Sequence, residues 1–140
     1  MSAPKRILAV DYGDARTGLA ATDWTGTICV PLERIDARDP AAVVAAIVAL
    51  VAERQSEAVV VGMPLSAGGA GNARAQRTAQ FQKLLTAALP CPVHAVDESH
   101  STDEAHERLK AGGLKASQRK KLADSIAALV ILERFRRQPR

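Results

Sequence analysis

Two short, continuous apolar runs, Ile7 to Val10 and Ala58 to Val61, with a third buried-strand candidate at Val93 to Val96, constrain the fold of this chain more than any other feature. Each is too short for a buried helix and lacks the polar alternation of a half-solvated strand, so each predicts a strand covered on both faces. Between the second pair of runs and around them the apolar spacing changes to that of helices. Asp39-Pro40 supplies an N-cap and a first-turn proline, and Val44, Ile47, Val48 and Val51 predict a helix running to about Arg54. Phe81, Leu84, Leu85 and Ala88 mark a second helix that stops at Pro90. Ser101-Thr102-Asp103-Glu104 has capping-box form and predicts a helix closed by Gly112-Gly113, and a last helix spans roughly Gln118 to Arg136. Thr17 to Thr22 and Thr27 to Ile35 are two further strands, with Asp23-Trp24-Thr25-Gly26 as the turn between them. These early connections are too short for a crossover helix, so the first three strands form a meander, and the helix-linked strands that follow are parallel. The expected architecture is α/β: a mixed five-stranded sheet with helices on both faces.

At 140 residues the chain has room for one domain, residues 1–140, with no repeat or linker to divide it. Aromatic residues make up only 3%, which excludes a platform of stacked aromatics for single-stranded bases, so any grip on nucleic acid is ionic. The formal charge of +4 is unevenly spread: residues 1–70 carry 6 Lys/Arg against 8 Asp/Glu, and residues 71–140 carry 13 against 7. The basic residues gather at Lys115, Arg119, Lys120 and Lys121 and at Arg134, Arg136, Arg137 and Arg140, with Arg74, Arg77 and Lys83 upstream. Such clusters suit a polyanion, through counterion release onto Lys and Arg; solvated helix faces are the alternative. Cys29 and Cys91 have no partner at zinc-site spacing, and the start MSAPKRILAV lacks the apolar stretch of a signal peptide. With no membrane-spanning run either, a cytoplasmic protein is expected.

Ligands of open α/β sheets gather at the carboxyl ends of the strands. Three of the runs end there, in Asp11, in Gly62-Met63-Pro64 and in Asp97-Glu98. Acids at strand ends are often mere turn formers and caps. Asp124 changes the balance, because it lies in the apolar stretch Leu122 to Leu132, with Ala127, Ala128 and Ile131 as its helical neighbours. An ionised carboxylate in such a place needs a partner. Lys121 on the same helix face offers an ion pair, and a metal shared with Asp11 and Glu98 is the other solution. Three carboxylates suit a hard cation, Mg²⁺ or Mn²⁺. Two such ions about 4 Å apart activate a water and stabilise the leaving oxygen of a phosphodiester in an in-line displacement.

The same residues carry a family resemblance. Asp11-Tyr12-Gly13 with Thr17-Gly18-Leu19-Ala20, then Val61 to Leu65, then Asp97-Glu98 with Ser101-Thr102 and Glu104-Ala105, then Lys121 and Asp124 with Ala127-Ala128 and Ile131-Leu132, resemble the YqgF/RuvX family over nearly the whole chain. That resemblance implies an RNase H-like fold and a nuclease that matures the 5′ end of precursor 16S ribosomal RNA or resolves Holliday junctions. It implies Asp11, Glu98 and Asp124 as metal-binding catalytic acids, the three already reached from strand ends and burial. Arg74, Arg77, Lys115, Arg119, Lys120 and Lys121 are the expected nucleic-acid contacts, and Gly13, Asp97 and His100 the accessory positions. Where the family usually has Arg and Leu after the Asp-Glu pair, this chain has Ser99 and His100. His100 is either a proton donor to the leaving group or an extra ligand, or it is an exposed loop histidine beside Glu104.

Asp-x-Gly followed by Thr-Gly also resembles the phosphate loop of the actin, hexokinase and Hsp70 ATPases, but those enzymes close two such domains on a nucleotide. A nucleic-acid-binding module without catalysis is a further alternative, although such modules are expected to have lost the acids, and here all three are present. The loop Ala67-Gly68-Gly69-Ala70-Gly71 matches neither the P-loop nor the dinucleotide pattern and is either a flexible connection or a backbone-embracing segment. Nothing in the sequence reads the 2′-hydroxyl, so structured RNA and branched DNA are both open as partners. Junction resolution needs paired cuts and therefore a two-fold homodimer, whereas trimming an RNA end does not.

Overall fold

The computed structural model describes residues 3–64, 73–98, 103–105, 107, 111 and 116–138, with side chains in the last stretch described from 123 onward. The strands are β1 (Ile7–Asp11), β2 (Thr17–Thr22), β3 (Cys29–Ile35), β4 (Ala58–Met63) and β5 (Val93–Asp97). The helices are α1 (Pro40–Arg54), α2 (Ala73–Ala88) and α3 (Ala116–Arg137), and residues 103–105 are also helical. The expected cap residues Ser101-Thr102 and Gly112-Gly113 lie outside the described residues.

One mixed sheet has the order β3-β2-β1-β4-β5. β1 pairs antiparallel with β2 and β2 with β3, while β1, β4 and β5 run parallel, which is the expected meander followed by crossovers. The apolar runs of β1 and β4 are explained by cover on both faces, whereas β5, expected to be buried in the same way, is an edge strand in which His94 and Ala95 are exposed and Val96 alone is buried. Along β1, Leu8 and Val10 pack with Val43, Ile47 and Val51 of α1 and with Phe81 and Leu85 of α2. Their neighbours Ile7 and Ala9 turn the other way and pack with Ala128, Ile131, Leu132 and Phe135 of α3. Strand alternation thus divides one run between two cores.

Local chemistry matches the boundaries. Asp39 accepts a hydrogen bond from the Ala41 amide at 3.1 Å and caps α1, with Pro40 next to it, and Gln55 ends the helix in the left-handed conformation. Gly26 takes φ +77° in the β2–β3 turn, where a side chain would also strike Lys5. Asp23 closes that turn by accepting from the amides of Thr27 and Ile28 and from the Thr25 hydroxyl. Among the described residues no helix is long and apolar enough to cross a membrane, and Cys29 and Cys91 are free thiols.

Candidate active site

Alternation decides which face each acid takes. Asp11 shares the parity of Ile7 and Ala9, and Glu98, one residue beyond β5, shares that of Val96, so both lie on the α3 face at the carboxyl end of the parallel strands. The Glu98 amide donates to the Met63 carbonyl at 2.9 Å, which extends the β4–β5 pairing to the acid itself. Gly62 clears the ground beneath: a Cβ there would lie 3.0 Å from Glu98 Oε2 and 2.5 Å from Ile131 Cδ1. Asp124 is brought in by Gly18, the β2 partner of Asp11, because a Cβ on Gly18 would overlap the Asp124 carbonyl oxygen. Ser125 fastens the same turn of α3 by donating to the Leu32 carbonyl at 2.6 Å.

Asp11 and Glu98 are buried, at 9% and 7% exposure, and their carboxyl groups are in contact. Burial first, then that contact and the repulsion of the Glu98 charge, hold the Asp11 carboxyl well above the usual carboxylate range. Asp11 Oδ1 is buried and makes no hydrogen bond. Such an orphaned oxygen beside a second carboxylate is a seat that asks for positive charge.

The charge it has is Arg74. Its Nη2 stands 3.3 Å from Glu98 Oε1 and 3.7 Å from Asp11 Oδ1. Asp124 Oδ2 is held by Arg34 Nη1 at 3.4 Å and Arg16 Nε at 3.6 Å. The acids are therefore neighbours, each bound to arginine, and no group of three or more metal-ligating side chains converges on one point among the described residues. Asp124 bears on Asp11 only through its charge. Arg16 and Arg34 are the partners Asp124 was expected to need; Lys121 was the sequence-based candidate, and its side chain lies outside the described residues. Both arginines come from the more acidic half of the chain. Arg16 was detectable as the last residue of Asp11-Tyr-Gly-Asp-Ala-Arg16, where the loop returns to the strand end, whereas Arg34 reaches Asp124 only because β3 and α3 meet in space.

In front of the acids opens a cleft of about 390 Å³, lined by Asp11 to Arg16, Arg74, Arg77, Thr78 and Asp124. Tyr12 forms part of the wall and stacks on the buried Phe81, with centroids 3.9 Å apart. Gly13 allows the loop to fold over, since a Cβ would strike the Arg16 carbonyl. Of the expected nucleic-acid contacts, Arg74 and Arg77 line this cleft, but both are engaged with acids, Arg77 with Asp14 at 3.1 Å. Lys115 and His100, with the loop 67–71, lie outside the described residues, as do the side chains of Arg119, Lys120 and Lys121. Asp97 lies at the end of β5, opposite Met63, and its carbonyl accepts from Arg134 at 3.0 Å. The arginines at the end of α3 act as fasteners: Arg134 also pairs with Glu104, Arg137 with Glu133, and Arg136 donates to the Gly26 carbonyl at 2.9 Å.

Comparison with known proteins places this geometry. Residues 5–138 match the family model described as "RuvX: Holliday junction resolvase". A relative from Chloroflexus aurantiacus, named "Putative pre-16S rRNA nuclease", is 39% identical over 129 residues, covering 92% of this chain and 84% of the relative. One of the same name from Streptomyces coelicolor is 40% identical and covers 91% and 77%. Among solved structures, Thermus thermophilus RuvC in complex with a Holliday junction substrate superimposes with a TM-score of 0.62 at 18% identity, covering 94% of each chain. The fowlpox virus resolvase with its junction DNA gives 0.52 at 14% identity, covering 91% and 95%. The fold is thus the RNase H-like one of the RuvC resolvases.

Proposed function

This chain belongs to the RuvX family, and on that premise we propose that it acts as a single-domain, divalent-metal-dependent nuclease that trims the 5′ end of precursor 16S ribosomal RNA. The observation that carries the reading is the orphaned, buried Asp11 Oδ1 facing Glu98 at the open end of the sheet. An all-oxygen donor set of that kind fits Mg²⁺ or Mn²⁺. Asp11 and Glu98 would hold the ion, with Asp124 as the third carboxylate across the cleft. Bound there, a divalent cation supplies a water of lowered pKa and neutralises charge on the scissile phosphodiester. The protein's own contributions are orientation and charge. Tyr12, backed by Phe81, gives the cleft a rigid wall, Gly13 lets the lining loop approach the Arg16 carbonyl closely, and Arg77 supplies a guanidinium for a phosphate oxygen. The relatives at 39% and 40% identity carry the rRNA name, which puts that substrate first. The family model's description keeps junction resolution as the second reading. A cytoplasmic place of action goes with either reading.

The test is cleavage with Mn²⁺ and with Mg²⁺ of a precursor rRNA end, a four-way DNA junction and plain single strands, side by side. The rRNA end is expected to be cut fastest. Asp11→Asn and Asp124→Asn are expected to lose metal-dependent cleavage by roughly a thousandfold or more while keeping the fold. Undiminished cleavage by both variants, free of host nucleases, overturns the assignment. Paired symmetrical cuts in the junction by a dimer, with the rRNA end untouched, would transfer it to the second reading.

A further inference from the structure

We propose that Arg74 is the resident counter-ion of the acid pair, holding Asp11 and Glu98 together until they take up a divalent cation and then turning its charge to the substrate phosphate. The inference rests on the metal-dependent nuclease reading above. α2 packs on one face of the sheet through Phe81 and Leu85, whereas Asp11 and Glu98 lie on the other, α3, face. Arg74, in the first turn of α2, therefore reaches round the carboxyl end of the strands to the acids. Its side chain is 52% exposed while the carboxylates it contacts are 11% and 6% exposed, so it meets the buried pair from the solvent side without being buried itself.

Two adjacent buried carboxylates repel each other unless positive charge lies between them, and a guanidinium carries only one charge. The contact to Asp11 is the longer, and it leaves Oδ1 without a hydrogen bond. Arg74 thus fills the seat in part, which is the condition for giving it up to a doubly charged ion with short oxygen bonds. Arg77 gives the contrast: it lines the same cleft but pairs with Asp14, whose side chain is 68% exposed, an ordinary surface pair. Released from the acids, Arg74 stands at the edge of the cleft with a planar fork suited to a phosphate.

The experiment is calorimetric binding of Mn²⁺ alone to the whole protein and its variants, with no nucleic acid present. Arg74→Gln is expected to bind Mn²⁺ tighter by on the order of tenfold, because a competing charge at contact distance is gone. Arg74→Lys, which keeps the charge but loses the fork, is expected to fall between, and Arg77→Gln to stay within about twofold because its charge is screened and paired elsewhere. Asp11→Asn is expected to abolish the binding. A second readout is the affinity for a fluorescein-labelled RNA duplex with a single-stranded 5′ tail in Ca²⁺. There Arg74→Gln is expected to bind more weakly and to lower the salt slope by roughly one unit. Unchanged or weaker Mn²⁺ binding by Arg74→Gln, with wild-type binding still dependent on Asp11, overturns the counter-ion role and leaves the nuclease reading standing. Tighter Mn²⁺ binding with unchanged RNA affinity and slope overturns the transfer to phosphate. Wild-type protein that binds no Mn²⁺ through Asp11 overturns both the inference and the metal reading beneath it.

Discussion

Asp11 is held in a position that costs stability, since its carboxyl is buried, shares its site with Glu98 and has an oxygen without a hydrogen bond. Asn in its place removes the charge and the repulsion and keeps the shape, so Asp11→Asn is expected to unfold at a higher urea concentration than the wild type, by about 1 kcal/mol, while losing cleavage. A urea titration of the two proteins in metal-free buffer checks it. Asp23 is the opposite case, a half-exposed acid held down to a pKa of about 2, chiefly by the Thr25 hydroxyl and then by the Ile28 amide. A carboxyl lowered on folding contributes stability above its unfolded pKa, and that contribution is lost as pH falls through the folded value. The β2–β3 turn is therefore expected to stay closed through pH 4 and to open only toward pH 2, and the carboxyl carbon shift of Asp23 against pH reads it directly. Asp11, Glu98 and Asp124 were legible because acids at strand ends and in an apolar helix are conspicuous; their arginine partners were not, because an arginine reaches across several residues of any neighbouring element.

Among the elements, β2 and α3 meet at one glycine. A Cβ on Gly18 would overlap the Asp124 carbonyl, and backbone has nowhere flexible to retreat. Gly18→Ala is accordingly expected to cost about 3 kcal/mol by overpacking and to displace the turn that carries Asp124. Urea unfolding measures the first effect and a loss of cleavage beyond the loss of stability the second. The strands and the ends of α1 and α3 were readable to within about two residues, since the runs at 7–10 and 58–61 have no alternation to mislead and Asp39-Pro40 and Gly26 are chemically specific signals; α2 begins at Ala73, well before the apolar spacing that starts at Phe81, and β5 is exposed at His94 and Ala95 because it lies at the sheet edge. What Gly18 does was not readable as packing: in Thr17-Gly18 it resembles a phosphate-loop glycine, and only the crossing of α3 gives it its role.

For the molecule as a whole, the sheet needs both covers. Ile47 of α1 and Ile131 of α3 are fully buried on opposite faces. Ile47→Ala and Ile131→Ala are each expected to cost 2–5 kcal/mol, roughly the range for a buried large-to-small change, and to add without coupling because the sheet lies between them. Denaturant midpoints for the singles and the double show it. Binding of nucleic acid is ionic on this reading. The six expected contacts, Arg74, Arg77, Lys115, Arg119, Lys120 and Lys121, predict log affinity falling with log salt at a slope of roughly −4 for a single-stranded RNA. Arg134, Arg136 and Arg137 are left out of that slope because they were not among the expected contacts; in the structure they bind Asp97, Glu104, Glu133 and the β2–β3 turn.

The periodicity of apolar residues, a local property, determined the order and kind of the elements, the mixed sheet and the strand ends at which chemistry gathers. The places of Asp11, Glu98 and Asp124 in the fold followed with them, because each is tied to the end of a strand or to a helix face. Charge was another matter. Counted along the chain, it assigned the basic residues of the second half to a polyanion, yet Arg16 and Arg34 of the first half guard Asp124, and Arg74 closes over Asp11 and Glu98. Coulomb energy depends on distance in space and on burial, and both of those are set by how strands and helices cross, so only the tertiary structure decided which charges meet.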